Sequence, residues 1–235
     1  MENPAWGAPR IVGELLKLGY VVSETTVDKY MPKEEKRSSP TWRSFLTNHS
    51  HKICACDFFV VPTLTFGIMY VFVVLSHERR KIMHVNVTQH PTAEWTGQQI
   101  RNAFPWDTAP KYLVRDNDAI YGKEFTKAVK AIGINEVKTA PASPWQNSYC
   151  ERVIGSLRRE CTDHIIPLSE EHLLRVLKEY VAYYNTARTH LSLEKDAPEH
   201  RAPQTPEDGD KIISIPILGG LHHRYERVHS KKDAA

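Results

Sequence analysis

The chain has 235 residues, 41% hydrophobic and 25% charged, which suits one substantial core with smaller appendages. Its formal net charge is only +3, and its three segments stay near neutrality, at zero for residues 1–40, +2 for 41–200 and +1 for 201–235. A globally basic nucleic-acid binder is thereby excluded, and any basic patch must be local.

Residues 8–18 repeat apolar side chains at Ile11, Val12, Leu15, Leu16 and Leu18, a helical stripe with Gly19 as its stop. Ser23 then caps a second short helix over 24–31, and the pair reads as part of a helix-turn-helix. Lys33 to Pro40 is charged and Ser/Pro-rich, as a linker would be. After a short helix at about 41–48 come three strand candidates, 52–61, 67–75 and 81–88, each rich in Val, Ile and Phe. The uncharged run from Phe58 to His77 is long enough to cross a bilayer, but Pro62, Thr63, Thr65 and Gly67 divide it into two buried strands, so no membrane partner is expected. Ser76 to Arg80 makes a polar turn between the second and third strands.

A helix over 92–104 follows, then a strand over 111–114, a helix over 124–132 stopped at Gly133, and a strand over 134–139. Two helices, 147–166 and 169–185, close the series, the second opened by Ser169 with Glu170 and Glu171 in its first turn. A meander followed by βαβ units implies a mixed five-stranded α/β sheet flanked by helices. Residues 201–210 read as loose, and 211–216 with 222–228 as a small hairpin around Gly219-Gly220. The four cysteines, Cys54, Cys56, Cys150 and Cys161, make neither a CxxC pair nor a dense disulfide pattern, and there is no signal peptide, so reduced thiols in the cytosol are expected. His49 and His51 lie near Cys54 and Cys56, but both cysteines point to one face of a buried strand, and core packing is the better reading than zinc.

Three acids stand out. Asp57 sits inside the most apolar strand, where a charge is costly unless paired or metal-bound. Asp116 lies just past the fourth strand; if that strand neighbours the first, the two backbones are roughly 5 Å apart and both carboxylates could face one metal. Glu151 begins the long helix, whose buried arc is Cys150, Val153, Ile154, Leu157 and Cys161. Glu151, Gly155 and Arg158 share another face, flanked by Arg152 and Arg159, so an acid for metal and bases for a phosphate backbone lie together. Each acid also has an ordinary reading: a satisfied buried Asp, a turn or cap, and a helix-dipole partner.

Taken together, the residues resemble the DDE integrase/transposase catalytic core, with its ribonuclease H-like fold, closest to bacterial insertion-sequence transposases of the integrase core domain type. Thr41-Trp42 with Cys56-Asp57-Phe58-Phe59 matches the first-strand motif, and Arg115-Asp116-Asn117-Asp118 with Tyr121-Gly122 and Phe125 matches the second. Ser143-Pro144-Trp145-Gln146-Asn147 leading to Glu151, Gly155 and Arg158-Arg159-Glu160 matches the third, with 34 residues between Asp116 and Glu151, and Tyr184-Asn185, Arg188 and His190 match the closing motif. The resemblance implies that Asp57, Asp116 and Glu151 are the catalytic acids and hold two Mg²⁺ or Mn²⁺ ions, while Arg152, Arg158 and Arg159 meet DNA. It further implies 3′-end cleavage and strand transfer on transposon ends and target DNA, by a homo-oligomer in the bacterial cytoplasm at the nucleoid.

The organisation expected is a partial helix-turn-helix-like segment and linker over 1–40, a catalytic core over 41–200 and a tail over 201–235. Many family members have Gly where Asp118 stands; its carboxylate is expected to face solvent from a turn. Rival readings are a ribonuclease H-type or Holliday-junction nuclease on the same fold, and a truncated or repurposed element that only binds DNA or a full-length transposase.

Overall fold

The computed structural model describes residues 8–31, 44, 46, 48–64, 67–106, 108–140, 143–207 and 209–229. It divides into two compact units, Met1–Thr41 and Trp42–Ala235. The first holds α1 (Ala8–Lys17) and α2 (Glu24–Tyr30). Gly19, at φ 85°, turns the chain out of α1 in the left-handed region that glycine adopts without strain. Ser23 caps α2 by accepting from the Thr26 N–H at 3.2 Å. The expected linker over 33–40 and the Thr41-Trp42 motif lie outside the described residues. Of the expected helix over 41–48, Ser44, Leu46 and Asn48 are described and helical.

The second unit is built on a five-stranded sheet of order β3-β2-β1-β4-β5, from β1 (Ile53–Pro62), β2 (Ile68–Ser76), β3 (Ile82–Thr88), β4 (Tyr112–Arg115) and β5 (Asn135–Lys138). β1–β2 and β2–β3 are antiparallel, whereas β1–β4 and β4–β5 are parallel, so the sheet is mixed. Alternation along β1 separates two cores. Ile53, Ala55 and Phe59 face α5 (Ser148–Glu160) and α6 (Glu170–Thr186), burying Cys150, Val153, Leu157, Leu173, Leu177 and Tyr180. Cys54 and Cys56 face the other way, with Ile100 of α3 (Ala93–Ala103) and Phe125 and Val129 of α4 (Lys123–Ala131). All four cysteines are buried and free. Gly97 lets α3 and α4 approach closely: a Cβ there would stand 2.9 Å from the Ala128 Cβ.

Three features differ from the sequence reading. The helix expected over 147–166 stops at Glu160 and passes through a 3₁₀ turn at Thr162–His164. Thr162, Asp163 and His164 are weak helix formers, and Ile166 precedes Pro167, which favours extended backbone. The hairpin is longer than expected, β6 (Asp210–Ile217) against β7 (His222–His229), and belongs to the second unit. It is anchored through His222, which stacks on Tyr183 at 4.9 Å and reaches the Glu160 carbonyl at 2.6 Å. Among the described residues no helix is long and apolar enough to cross a membrane.

Lastly, the turn after β2 is not polar throughout. His77 is 5% exposed, edge-on to Tyr149 at 5.0 Å, and neither ring nitrogen has a hydrogen-bond partner among the described residues. Burial, and then the charge of Arg80, lowers its pKa to about 4. The unfolded chain takes that proton nearer pH 6.5, so it binds more protons than the folded chain across this window. Stability therefore falls as pH drops from about 6.5 toward 4, by up to about 3 kcal/mol from this residue. In urea melts, the stability of wild type relative to His77→Phe is expected to shrink by about 2–3 kcal/mol between pH of about 7.5 and 4.5; an unchanged difference would mean His77 protonates freely in the fold.

Candidate active site

Asp57 lies on the central strand. The β1–β4 register pairs Ala55 with Val114, so Asp57 and Asp116 stand two residues further along in each strand, at the same level of a parallel pair. Asp57 is half-buried, and its Oδ1 accepts from the Phe58 N–H at 2.8 Å. Burial pushes its carboxyl up to about 7, opposed by that N–H and reinforced by the charges of Asp116, Glu151 and Asp118 in that order. The same burial and crowding of negative charge hold the neighbouring Cys56 and Cys150 thiols and the Tyr121 phenol protonated.

Asp116 is the first residue past β4. Burial raises its carboxyl; the Asp118 N–H, donating to its Oδ1 at 3.3 Å, opposes this, the Asp118 charge adds to it and Arg115 lowers it. Its main chain is fixed from beneath: the Arg115 Nη1 donates to the Asp116 carbonyl at 2.7 Å. Asp118 is exposed, and its carboxylate folds back to accept from the Ile120 N–H at 2.8 Å, an Asx turn.

Glu151 projects, exposed, from the first turn of α5. The helix is placed by its inward face, Cys150, Val153, Ile154 and Leu157, against the β1 face that carries Ala55 and Phe59. It is also placed by Asn147. That residue does not cap its own helix; its Nδ2 donates to the Cys56 carbonyl at 3.4 Å, tying the start of α5 to β1 one residue before Asp57. Sequence reading quoted Asn147 only as part of a motif, and a buried Asn at a helix start that leaves its cap unmade is the signal of a longer-range partner.

The arginines separate. Arg158 lies over the Phe59 ring, its guanidinium 5.6 Å from the centroid, and Arg159 lies across Gly155, its Nη1 3.0 Å from where a Cβ would stand. Arg152 instead lines a cavity beside α5.

Among the described residues, no Lys or Arg forms an ion pair with Asp57, Asp116 or Glu151. Nor do any three His, Cys, Asp or Glu side chains stand close enough together to hold one metal ion. Asp57 nevertheless feels the negative charges of Asp116, Glu151 and Asp118, and carboxylate oxygens are the donors that hard ions such as Mg²⁺ or Mn²⁺ take.

The closing motif has a structural role. The Asn185 side chain accepts from the Ile82 N–H at 3.0 Å and donates to the Ile82 carbonyl at 2.9 Å. Arg188 grips Glu160 through Nε at 2.7 Å and Nη2 at 2.6 Å, while Tyr180 donates to the same carboxylate at 2.8 Å. His190 packs edge-on to Tyr184 at 4.5 Å.

Residues 132–198 match the family model of the integrase core domain. Less than a third of the chain is thus similar to the integrase core domain. The matched stretch takes in Glu151, the arginines of α5 and the closing motif, and Asp57 and Asp116 lie before it. The fold of this chain is similar to that of a chain of the simian T-cell lymphotropic virus intasome, at 16% identity and TM-score 0.50, over 74% of this chain and 66% of that one. That is just under two thirds of the viral chain's length. It is similar also to the HTLV-2 integrase catalytic core domain in its trimeric form with magnesium, at 13% identity and TM-score 0.50, over 62% of this chain and 92% of that one. At these identities the likeness establishes the ribonuclease H-like fold. No curated protein matches the chain.

Proposed function

We propose that this chain is an integrase- or transposase-type DNA strand transferase that cleaves DNA at 3′ ends and joins them to target DNA, using divalent metal held by Asp57, Asp116 and Glu151. The observation that carries this reading is the uncompensated Asp57 carboxyl, whose pKa is raised by burial and by the charges of Asp116 and Glu151, with no basic partner among the described residues. When bound, two such ions would supply activation of the attacking oxygen and neutralisation of the leaving one. In the first step water attacks a backbone phosphorus and the bond to the 3′ oxygen breaks, freeing a 3′-hydroxyl. In the second, that hydroxyl attacks a target phosphodiester, displacing another 3′ oxygen. Three placements support these roles: Asp57 lies within β1, Asp116 is held by the backbone contact from Arg115, and Glu151 stands in the first turn of a helix tied to β1 by Asn147. The chain's own acids would sit against the reacting phosphate only when cations cancel their charge, which excludes strand transfer in chelator. Transposon ends and target DNA in the bacterial cytoplasm are the proposed substrates, met by a homo-oligomer through Arg152, Arg158 and Arg159 of α5.

Asp116→Asn and Glu151→Gln are each expected to bring strand transfer in Mg²⁺ or Mn²⁺ to background, with the melting temperature of the metal-free protein unchanged or higher. Activity near wild type in either variant would remove that residue from the site. The gap between the acids favours a second reading, a chain that binds DNA or a longer transposase without cutting it. Calorimetric titration with Mn²⁺ separates the two: heat that depends on the three carboxylates supports the transferase, and its absence supports the binding module.

A further inference from the structure

A cavity of about 260 Å³ opens between α5 and the loop that follows α6. α5 contributes Arg152 and Ser156, the loop Arg188, Thr189 and Ser192, and the turn between β2 and β3 contributes Arg80. A water occupies about 30 Å³, so the space holds one phosphate group with its hydration. Arg188 is neutralised by Glu160 on two hydrogen bonds. Arg80 and Arg152 form no ion pair with a carboxylate among the described residues, and the cavity keeps both charges.

Arg80 is held in place. Its guanidinium lies over the Tyr149 ring, 4.8 Å from the centroid, and its Nη1 contacts the Ser192 Oγ. Its backbone sits at φ 58°, in the left-handed region where a turn would accept Gly or Asn with less strain. An arginine at such a position delivers a charge at a conformational cost, and retained strain of this kind accompanies function. The field is felt by neighbours: after burial, the charges of Arg188 and Arg80 hold the buried His190 ring below its ordinary range.

We propose that this cavity binds one backbone phosphate of DNA, with Arg80 and Arg152 as charged donors and Ser156 and Thr189 as neutral ones. The inference rests on the reading that DNA is the partner, and it is independent of the three acids. The same donors would take a free phosphate, so the test has an arm for each source.

Duplex binding by the full chain is measured in chelator, where no cleavage occurs, over roughly 50–300 mM salt. Arg80→Ala/Arg152→Ala is expected to reduce the slope of log Kd against log salt by about one and to weaken binding about tenfold or more at about 0.1 M salt. Arg80→Lys/Arg152→Lys, which keeps both charges, is expected to retain most of the slope. An unchanged slope in the alanine variant overturns the proposal. So does equal loss in the alanine and lysine variants with a lowered melting temperature, which would make the arginines packing elements. If inorganic phosphate raises the melting temperature of wild type but not of the alanine variant while the DNA slope is unchanged, the occupant is a free anion and the DNA assignment falls. Because these assays contain no metal, their failure leaves the carboxylate reading standing, and an active Asp116→Asn enzyme would leave this one standing.

Discussion

Asp57→Asn is expected to make the metal-free protein more stable while abolishing strand transfer. At a pH above about 7 the wild-type carboxylate is charged, half-buried and surrounded by negative neighbours. Its pKa is raised, so the folded state gains from the proton at low pH and loses that contribution as pH rises through about 7. A neutral amide of the same shape removes this cost, for a gain on the order of 2 kcal/mol after allowance for a weaker bond from the Phe58 N–H. Metal should reverse the order: Mg²⁺ or Mn²⁺ is expected to raise the melting temperature of wild type and leave the variant where it was. Thermal melts with and without metal check both halves. A variant less stable than wild type in chelator would show that Asp57 is a satisfied core residue, and its ligand role would then have no support.

Glu136→Ala should be the most damaging single change outside the site, at about 3–5 kcal/mol. Arg115 is 1% exposed, and its charge is met by Glu136, to which Nε donates at 2.5 Å. The guanidinium is also sandwiched near Tyr121 and Phe125, at 4.8 and 5.6 Å from their ring centroids. Deleting the carboxylate leaves a buried cation with only a backbone carbonyl and two ring faces. Arg115→Met with Glu136→Leu is expected to recover most of the lost stability, since an apolar pair of similar volume carries no desolvated charge. That double variant lacks the contact to the Asp116 carbonyl, so its Mn²⁺ affinity is expected to fall about 10–100-fold despite a sound fold. Denaturant melts and calorimetry, run on both variants, separate the structural contribution from the positioning one; wild-type affinity in the double variant would deny Arg115 any part in placing Asp116.

The sheet was legible because its strands are β-branched runs broken by turn residues, and the faces of β1 and α5 follow from periodicity alone. Ile53, Ala55 and Phe59 do face the same core as Cys150, Val153 and Leu157. Arg115 was not legible as a buried residue. An arginine that ends a short strand beside Asp116 and Asn117 looks like the start of a polar turn, and its partner Glu136 lies on another strand. His77 was misread for the same reason: four polar neighbours in sequence said nothing of the α5 residue Tyr149 that covers it. The end of α5 at Glu160 had local signals, the weak helix formers Thr162, Asp163 and His164 and the proline at 167, but the apolar period running on through Cys161 and Ile165 masked them. Likewise, three arginines within one helix gave no sign that Arg152 would share a cavity with Arg80, a turn residue on the far side of the sequence.

The amide of Asn185 has a consequence for assembly. β3 is an edge strand, and a bare edge invites a strand from another molecule. By filling both backbone groups of Ile82, Asn185 acts as a stopper at the start of that edge. A second copy cannot extend the sheet from there by strand addition. At the opposite edge β5 is only four residues long and ends in Lys138, a poor template. Each edge of the sheet is thus blunted, one by a side-chain amide and one by shortness and a lysine, against the indiscriminate backbone pairing that leads to aggregates.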